Sequence, residues 1–289
     1  MDFVYLNMQK KYLLWLLAIV VVSCQKEMKN TDTVAVNYTN TAYGTDVQQK
    51  MDLYLPAGRD TSSTPLLILI HGGAWIEGDK ADFKDFVTIL QQRFPRYAIA
   101  NINYRLYNAS GQNKFPAQEN DVKTAVQFLL GKSVEYKYSH KIILLGASAG
   151  AHLALLQAYK YYTTGKPLAV ISFFGPTDMT ALYNAPANPY IPVLLSQILG
   201  GTPAQNPSIY QQSSPVNFVK AGLAPTLVLQ GGADDIVPPA QATLLIKALQ
   251  TAGVTHQFVL YPSEGHGWTG ANLDDSINKV TSFVQQYGR

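Results

Sequence analysis

Apolar and polar positions along the chain change period several times, and each change marks an element. Weak alternation at 34–38 and 50–55 predicts two opening strands that pair antiparallel. Strand-length apolar stretches follow at 65–70, 98–103, 142–145, 168–174, 226–230 and 257–261. The one at 65–70 is unbroken, as expected of a strand buried on both faces, and 168–174, apolar but for Ser172, reads as another buried strand. Between them apolar residues recur at helical spacing. Phe83, Phe86, Val87 and Leu90 form one stripe, and Val122, Ala125, Val126 and Leu129 another. Helical patterns also cover 149–159, 240–249 and 273–287. Such strand–helix alternation predicts an α/β fold, a mostly parallel sheet with right-handed crossovers and helices on both faces. No internal repeat interrupts it.

Two regions break the alternation. The stretch 176–223 is rich in Pro, Asn, Ala and Ser and carries one clear helical pattern, 193–199, stopped by Gly200 and Gly201. It is too long for an ordinary connection, so it is expected to fold over the domain as a lid or pocket wall. At the other end, Lys10 and Lys11 precede an apolar run at 12–22 that ends in Ser23-Cys24. That run is short for a bilayer span and fits a signal-peptide core. Its end resembles a bacterial lipoprotein signal, with Val21 where such signals usually carry Leu. The expected organisation is a signal over 1–24 ending at a lipidated Cys24, a tether over 25–33, and one domain over 34–289. Export, with anchoring to a bacterial membrane on its periplasmic side or at the cell surface, follows from that signal; a plain secretory signal with an incidental cysteine is the alternative, and would leave the protein secreted or periplasmic. Membrane contact is expected through the lipid alone. Met8 offers an alternative start, with an ordinary charged leader behind it.

Composition narrows the class. Of the 289 residues, 47% are hydrophobic and 14% charged, enough apolar surface for a large core. The formal charge of +3 is small, with no basic stripe, so nucleic-acid binding has no support. Cys24 is the sole cysteine, which rules out an intramolecular disulfide. No His-Glu-x-x-His or cysteine cluster suggests a metal, and no cofactor is expected.

Candidate chemistry centres on Gly146-Ala147-Ser148-Ala149-Gly150, which joins the 142–145 strand to a helix. In that context the serine sits on a sharp turn with its hydroxyl exposed, as a nucleophile requires. A serine nucleophile needs a base, an orienting acid and donors for a developing oxyanion. His266, between Gly265 and Gly267 after the last strand, is the candidate base. Asp234 and Asp235, after the 226–230 strand, both fit the acid, and adjacent loop residues point apart, so only one can serve. The other is expected to face water or cap a helix. Gly72 and Gly73, at the end of the 65–70 strand, and the backbone of Ala149 are the expected oxyanion donors. Trp75 and Trp268 are expected to shape the substrate pocket.

His71-Gly72-Gly73-Ala74-Trp75, Asn103-Tyr104-Arg105-Leu106, Phe115-Pro116-Ala117-Gln118, the Ser148 elbow, Asp234-x-x-Val237-Pro238 and Gly265-His266-Gly267 occur in this order. Together they resemble the hormone-sensitive-lipase-like carboxylesterases of the α/β-hydrolase superfamily, in particular bacterial esterase/lipase-like proteins with feruloyl-esterase-type relatives. Ala74 stands where many relatives have a third glycine, and Ala151 where a glycine is frequent. The resemblance implies an α/β-hydrolase fold and Asp234 as the acid, three residues before Val237. It also implies hydrolysis of a small or carbohydrate-linked ester through an acyl-enzyme. An arylformamidase-like amide hydrolase and a prolyl-oligopeptidase-like peptidase are the alternatives that share the fold. A non-catalytic binding module is disfavoured by the complete set Ser148, Asp234 and His266.

Overall fold

The computed structural model describes residues 33–161 and 165–288. Cys24, the apolar run at 12–22 and the tether up to residue 32 lie outside the described residues.

Eight strands form one sheet: β1 (Val36–Ala42), β2 (Lys50–Leu55), β3 (Leu66–Ile70), β4 (Ala98–Ile102), β5 (Ile142–Ala147), β6 (Ala169–Phe173), β7 (Thr226–Gly231) and β8 (His256–Tyr261). Their order is β1-β2-β4-β3-β5-β6-β7-β8. β2 runs antiparallel to both its neighbours, β1 and β4, and the remaining pairs are parallel. This is the arrangement expected from the hydrophobic pattern. Successive side chains of a strand face opposite ways, so a strand covered on both faces must be apolar at every position. In β3 that is what happens. Leu66, Ile68 and Ile70 enter one core layer, while Leu67 and Leu69 enter the other, all fully buried.

The helices cover the two faces. They are α1 (Lys84–Arg93), α2 (Ala117–Gly131), α3 (Ser133–Tyr136), α4 (Ala149–Lys160), α5 (Met179–Asn184), α6 (Ile191–Ile198), α7 (Pro207–Gln212), α8 (Pro239–Thr251) and α9 (Gly270–Tyr287). α4 is buried from Ala149 to Tyr159, which explains its small residues. They let it lie directly on β5 and β6. The 176–223 stretch folds into α5, α6, α7 and a short 3-10 turn at Pro215–Phe218. α5 contacts both α6 and α7, and the turn rests on α4 and α8. No helix among the described residues is long and apolar enough to cross a membrane.

Candidate active site

Three loops meet above the C-terminal edge of the sheet, where the parallel strands release their chains. The turn after β5 carries Ser148 at φ 53° and ψ −121°. A residue with a Cβ pays roughly 1–3 kcal/mol to sit in such a region, and packing must enforce it. Here the enforcing contact is the close approach of α4 to β3. Gly150 lies so near Ile70 that a Cβ would overlap the Ile70 carbonyl oxygen. The Ser148 N–H donates to the Phe173 carbonyl at 2.9 Å. Its hydroxyl is left at the surface of a cleft.

His266 comes from the loop after β8, narrowed by a bridge between Gly265 and Gly267. Its Nε2 lies 2.9 Å from Ser148 Oγ, and its Nδ1 lies 2.8 Å from Asp234 Oδ2. A carboxylate oxygen accepts, so Nδ1 carries the hydrogen and Nε2 is free to accept from the serine hydroxyl. Asp234 is held from every side. Oδ1 accepts from the Ile236 and Val237 N–H groups at 2.9 and 2.8 Å, and Oδ2 accepts from Gln230 Nε2 at 3.0 Å as well. Asp235 is exposed, with no hydrogen bond among the described residues, and α8 begins at Pro239 behind Pro238. Of the two adjacent carboxylates, Asp234 therefore meets the imidazole, while Asp235 faces water and caps nothing.

The turn after β3 lies across from the serine. A Cβ on Gly72 would come within 3.0 Å of the Ala147 carbonyl oxygen, so the turn is nearly in contact with the elbow. The chain then runs left-handed through Gly73 (φ 99°), Ala74 (φ 50°) and Trp75 (φ 63°). The N–H groups of Gly72, Gly73 and Ala149 have no acceptor among the described residues. Tyr104 holds this turn from below, its hydroxyl donating to the His71 and Gly72 carbonyls at 2.9 and 3.1 Å. Its ring stacks on His71 at 4.3 Å. His71 is buried, which pushes its imidazole below the usual histidine range; it supports the turn at the edge of the cleft and makes no hydrogen bond to Ser148 or His266 among the described residues. Arg105, next to Tyr104, is fixed by a 2.6 Å ion pair with buried Asp121. Within the Asn103-Tyr104-Arg105 motif, Tyr104 is thus the brace for the turn, while Asn103 bonds Asp79 and the Lys80 N–H.

The cleft over Ser148 and His266 measures about 540 Å³. Glu77, Asp82, Phe83, Phe174, Ile191 and Ile236 complete its walls. A second, apolar cavity of about 270 Å³ adjoins it, enclosed by Phe83, Phe86, Ile89, Phe173, Phe174 and Trp268 among others. Phe174 borders both, as do Asp82, Phe83 and Ala147. It has φ 40°, and its ring centre lies 4.7 Å from that of His266. Among the described residues no group of three or more His, Cys, Asp or Glu side chains is placed to hold a metal ion.

One expectation about the pocket needs correction. Trp75 is 5% exposed and does not line the cleft; its indole N–H points into the protein, to His152 Nδ1 at 3.2 Å. A left-handed residue at the end of the turn directs its side chain beneath the cleft, and only backbone geometry reveals that. Trp268 lines the adjoining cavity and is anchored by donating to Ser276 Oγ at 2.8 Å. From the 176–223 stretch, Ile191 alone lines the cleft. Phe174 and Ile236 do not stand out in the sequence. Their only signal is position, immediately after a strand end and two residues past Asp234.

A hydroxyl, an imidazole and a buried carboxylate in one hydrogen-bonded line can deliver the hydroxyl proton to the imidazole as the oxygen attacks an electrophile. Free N–H groups opposite the oxygen suit the negative charge that such an attack creates.

The sequence profile of the BD-FAE family matches residues 51–249. Esterase LipC of Mycobacterium tuberculosis is 24% identical over 263 residues, covering 86% of this chain and 64% of LipC. The probable carboxylic ester hydrolase LipM of the same organism is 30% identical over 230 residues, covering 75% of this chain and 50% of LipM. The chain therefore spans half to two-thirds of the length of these curated relatives. Among solved structures, a truncated carbohydrate esterase from gut microbiota superposes with a TM-score of 0.74 at 26% identity, covering 89% of this chain and 98% of its own. With its mostly parallel eight-stranded sheet and a profile match across most of its length, the chain belongs to the BD-FAE family of hormone-sensitive-lipase-like esterases.

Proposed function

We propose that the protein is a serine carboxylic-ester hydrolase acting through an acyl-enzyme on Ser148. The observation that carries this reading is the unbroken line from Ser148 Oγ through His266 to Asp234, with spacings of 2.9 and 2.8 Å. Ser148 Oγ attacks the ester carbonyl carbon while its proton passes to His266 Nε2. Asp234 holds the ring in the required tautomer and stabilises the imidazolium that forms. The carbonyl oxygen, now negative, turns toward the N–H groups of Gly72, Gly73 and Ala149, each worth on the order of 3 kcal/mol to the transition state. Collapse of the tetrahedral adduct breaks the bond to the alcohol oxygen, which takes the proton from His266. Water then enters, gives a proton to the same nitrogen and attacks the acyl carbon. Expulsion of Ser148 Oγ, reprotonated by His266, releases the acid.

The substrate reading is an uncharged, carbohydrate-linked or small ester. It draws on the carbohydrate esterase among the structural relatives and on a cleft whose charged lining residues are the acids Glu77 and Asp82. The site works outside the cytoplasm if Cys24 anchors the chain by a lipid. Radiolabelled palmitate should then enter the protein in a Gram-negative host and be lost in Cys24→Ser; labelling that survives the substitution refutes the anchor. For the activity, the test is hydrolysis of p-nitrophenyl acetate and acetylated sugars beside N-formylkynurenine, with Ser148→Ala as control. Loss of nearly all turnover in Ser148→Ala with the fold intact is expected. Undiminished turnover would remove Ser148 as nucleophile, and a preference for the formamide would move the reading to an amide hydrolase.

A further inference from the structure

Three residues in a row of the turn after β3 are left-handed, and two of them, Ala74 and Trp75, carry a Cβ. An isolated strained residue can be tolerated by its neighbours, but a run of them relaxes unless the structure around it over-determines the conformation. Backbone contacts do part of this. Ile76 and Glu77 N–H both donate to the Gly73 carbonyl at 3.0 Å, and Tyr107 N–H donates to the Trp75 carbonyl at 2.9 Å. The side-chain contact is more specific. The Trp75 indole N–H donates to His152 Nδ1 at 3.2 Å, and His152 Nε2 meets the Ser213 carbonyl at 2.7 Å. Trp75 and His152 are 5% and 1% exposed, so neither bond competes with solvent.

The partners of His152 fix its state. An indole N–H can only donate and a carbonyl can only accept, so the imidazole must be neutral with its hydrogen on Nε2. Burial also pushes its pKa down to about 4. The ring centres of Trp75 and His152 lie 5.2 Å apart, edge to face. His152 stands on the first turn of α4, and its N–H donates to the Ser148 carbonyl at 3.1 Å. One side chain therefore ties together the turn bearing Gly72 and Gly73, the helix bearing Ala149, and the 176–223 stretch through Ser213.

We propose that His152 and Trp75 are positioning residues for the oxyanion site: their buried bond sets the separation between the donors of the β3 turn and the Ala149 N–H of α4. Neither touches substrate. The proposal rests on the hydrolase reading above and adds to it a reason for a histidine in the helix behind the nucleophile. Donors fixed in this way act only once the carbonyl oxygen has become negative. Loosening them lowers kcat and leaves ground-state binding, hence KM, nearly unchanged.

Four variants test this: Trp75→Phe, which removes the N–H and keeps a ring; His152→Leu, which removes the acceptor; the double variant; and His152→Gln, whose amide can still accept from the indole and donate to Ser213. Trp75→Phe and His152→Leu should each lower kcat on p-nitrophenyl acetate by roughly 10- to 100-fold, part of the ~10²–10³ seen when an oxyanion donor is deleted. KM should stay within about threefold. The double variant should be no worse than the poorer single one, since both remove the same bond, and His152→Gln should recover most of kcat. Additive losses, a change confined to KM, or variants that lower the melting temperature while folded protein keeps its kcat would each overturn the proposal. A spectroscopic arm applies whether or not the protein hydrolyses an ester. In 1H–15N spectra the Trp75 indole signal and the amides of Gly72, Gly73 and Ala149 should move together in His152→Leu and return in His152→Gln. If the indole signal moves alone, the bond exists and positions nothing, and the proposal fails. A wild-type protein with those linked shifts but no activity would refute the hydrolase reading and leave the coupling standing.

Discussion

Replacing Asp234 by Asn removes one charge and changes almost no volume, so its effect is set by the hydrogen bonds around the carboxylate. Oδ1 of Asp234 accepts from the Ile236 and Val237 N–H groups at 2.9 and 2.8 Å, so the one oxygen left in Asn is required there to keep the loop. The amide nitrogen then takes the place of Oδ2, where it faces two donors, His266 Nδ1–H at 2.8 Å and Gln230 Nε2 at 3.0 Å. Gln230 retains the Val237 carbonyl at 3.0 Å. His266 has a single escape, which is to move its hydrogen from Nδ1 to Nε2. The ring then accepts from Asn and points an N–H at Ser148, where it can no longer take the serine proton. Among serine proteases such a tautomer reversal lowers kcat by ~10⁴, equivalent to ~5 kcal/mol on the barrier. The stability cost is smaller, ~1–3 kcal/mol for the mispaired buried amide. Asp235→Asn alters an exposed side chain without hydrogen bonds among the described residues, and should change stability by less than ~0.5 kcal/mol and turnover by less than about tenfold, or ~1.4 kcal/mol. Initial rates with p-nitrophenyl acetate at saturation, beside calorimetric melting of the same samples, separate the two effects. The reasoning is refuted if Asp234→Asn keeps more than about a tenth of wild-type kcat, or if Asp235→Asn is the more damaged enzyme.

Other outcomes rest on the same contacts. Ser148→Gly and Ser148→Ala lose the same hydroxyl, but glycine alone relieves the φ of 53°; it should melt ~2–4 °C higher than the alanine variant, for ~1 kcal/mol of strain, and the reverse order would mean that the elbow is unstrained. Burial lowers His152 from 6.5 to about 4, so between those values the unfolded chain binds a proton that the folded chain refuses. Stability is complete above the upper value and falls as pH drops through this window, by up to ~1.4 kcal/mol per unit and ~3 kcal/mol in all. Buried His71 is lowered too and adds to the same slope; urea unfolding of His152→Gln should show a flatter pH dependence, and an unchanged one would refute the assignment. Phe174→Ala should join the cleft to the neighbouring apolar cavity of about 270 Å³ and raise kcat/KM for bulky relative to acetyl esters by roughly tenfold, the scale for one or two methylene-sized groups in an apolar pocket; an unchanged ratio would show that Phe174 is not the dividing wall.

What is legible in the sequence and what is not divide along a physical line. Strands buried on both faces leave apolar runs, so β3, unbroken, and β6, broken only by the buried Ser172, are visible in the residue pattern alone, as is the strand–turn–helix setting of Ser148. Four short helices and turns are not: α3, α5, α7 and the Pro215–Phe218 turn span four to six residues each. One helical turn sets no period, so a pattern search has nothing to detect. The line-up of Ser148, His266 and Asp234 follows from where strands end, because a parallel sheet brings those ends to one edge. Side-chain direction is the part that sequence does not carry, and Trp75 shows why. A tryptophan just past an oxyanion turn reads as a pocket wall as long as its backbone is taken to be ordinary. At φ 63° its side chain is directed beneath the turn, where its N–H finds the one acceptor that a neutral His152 can offer. The same fact alters what His152 means. In the sequence it is one of five histidines, set on the helix that follows the nucleophile. In the fold, that placement puts its two ring nitrogens between the oxyanion turn and Ser213, so a histidine unsuited to act as the base is well suited to hold in place the donors that the base depends on.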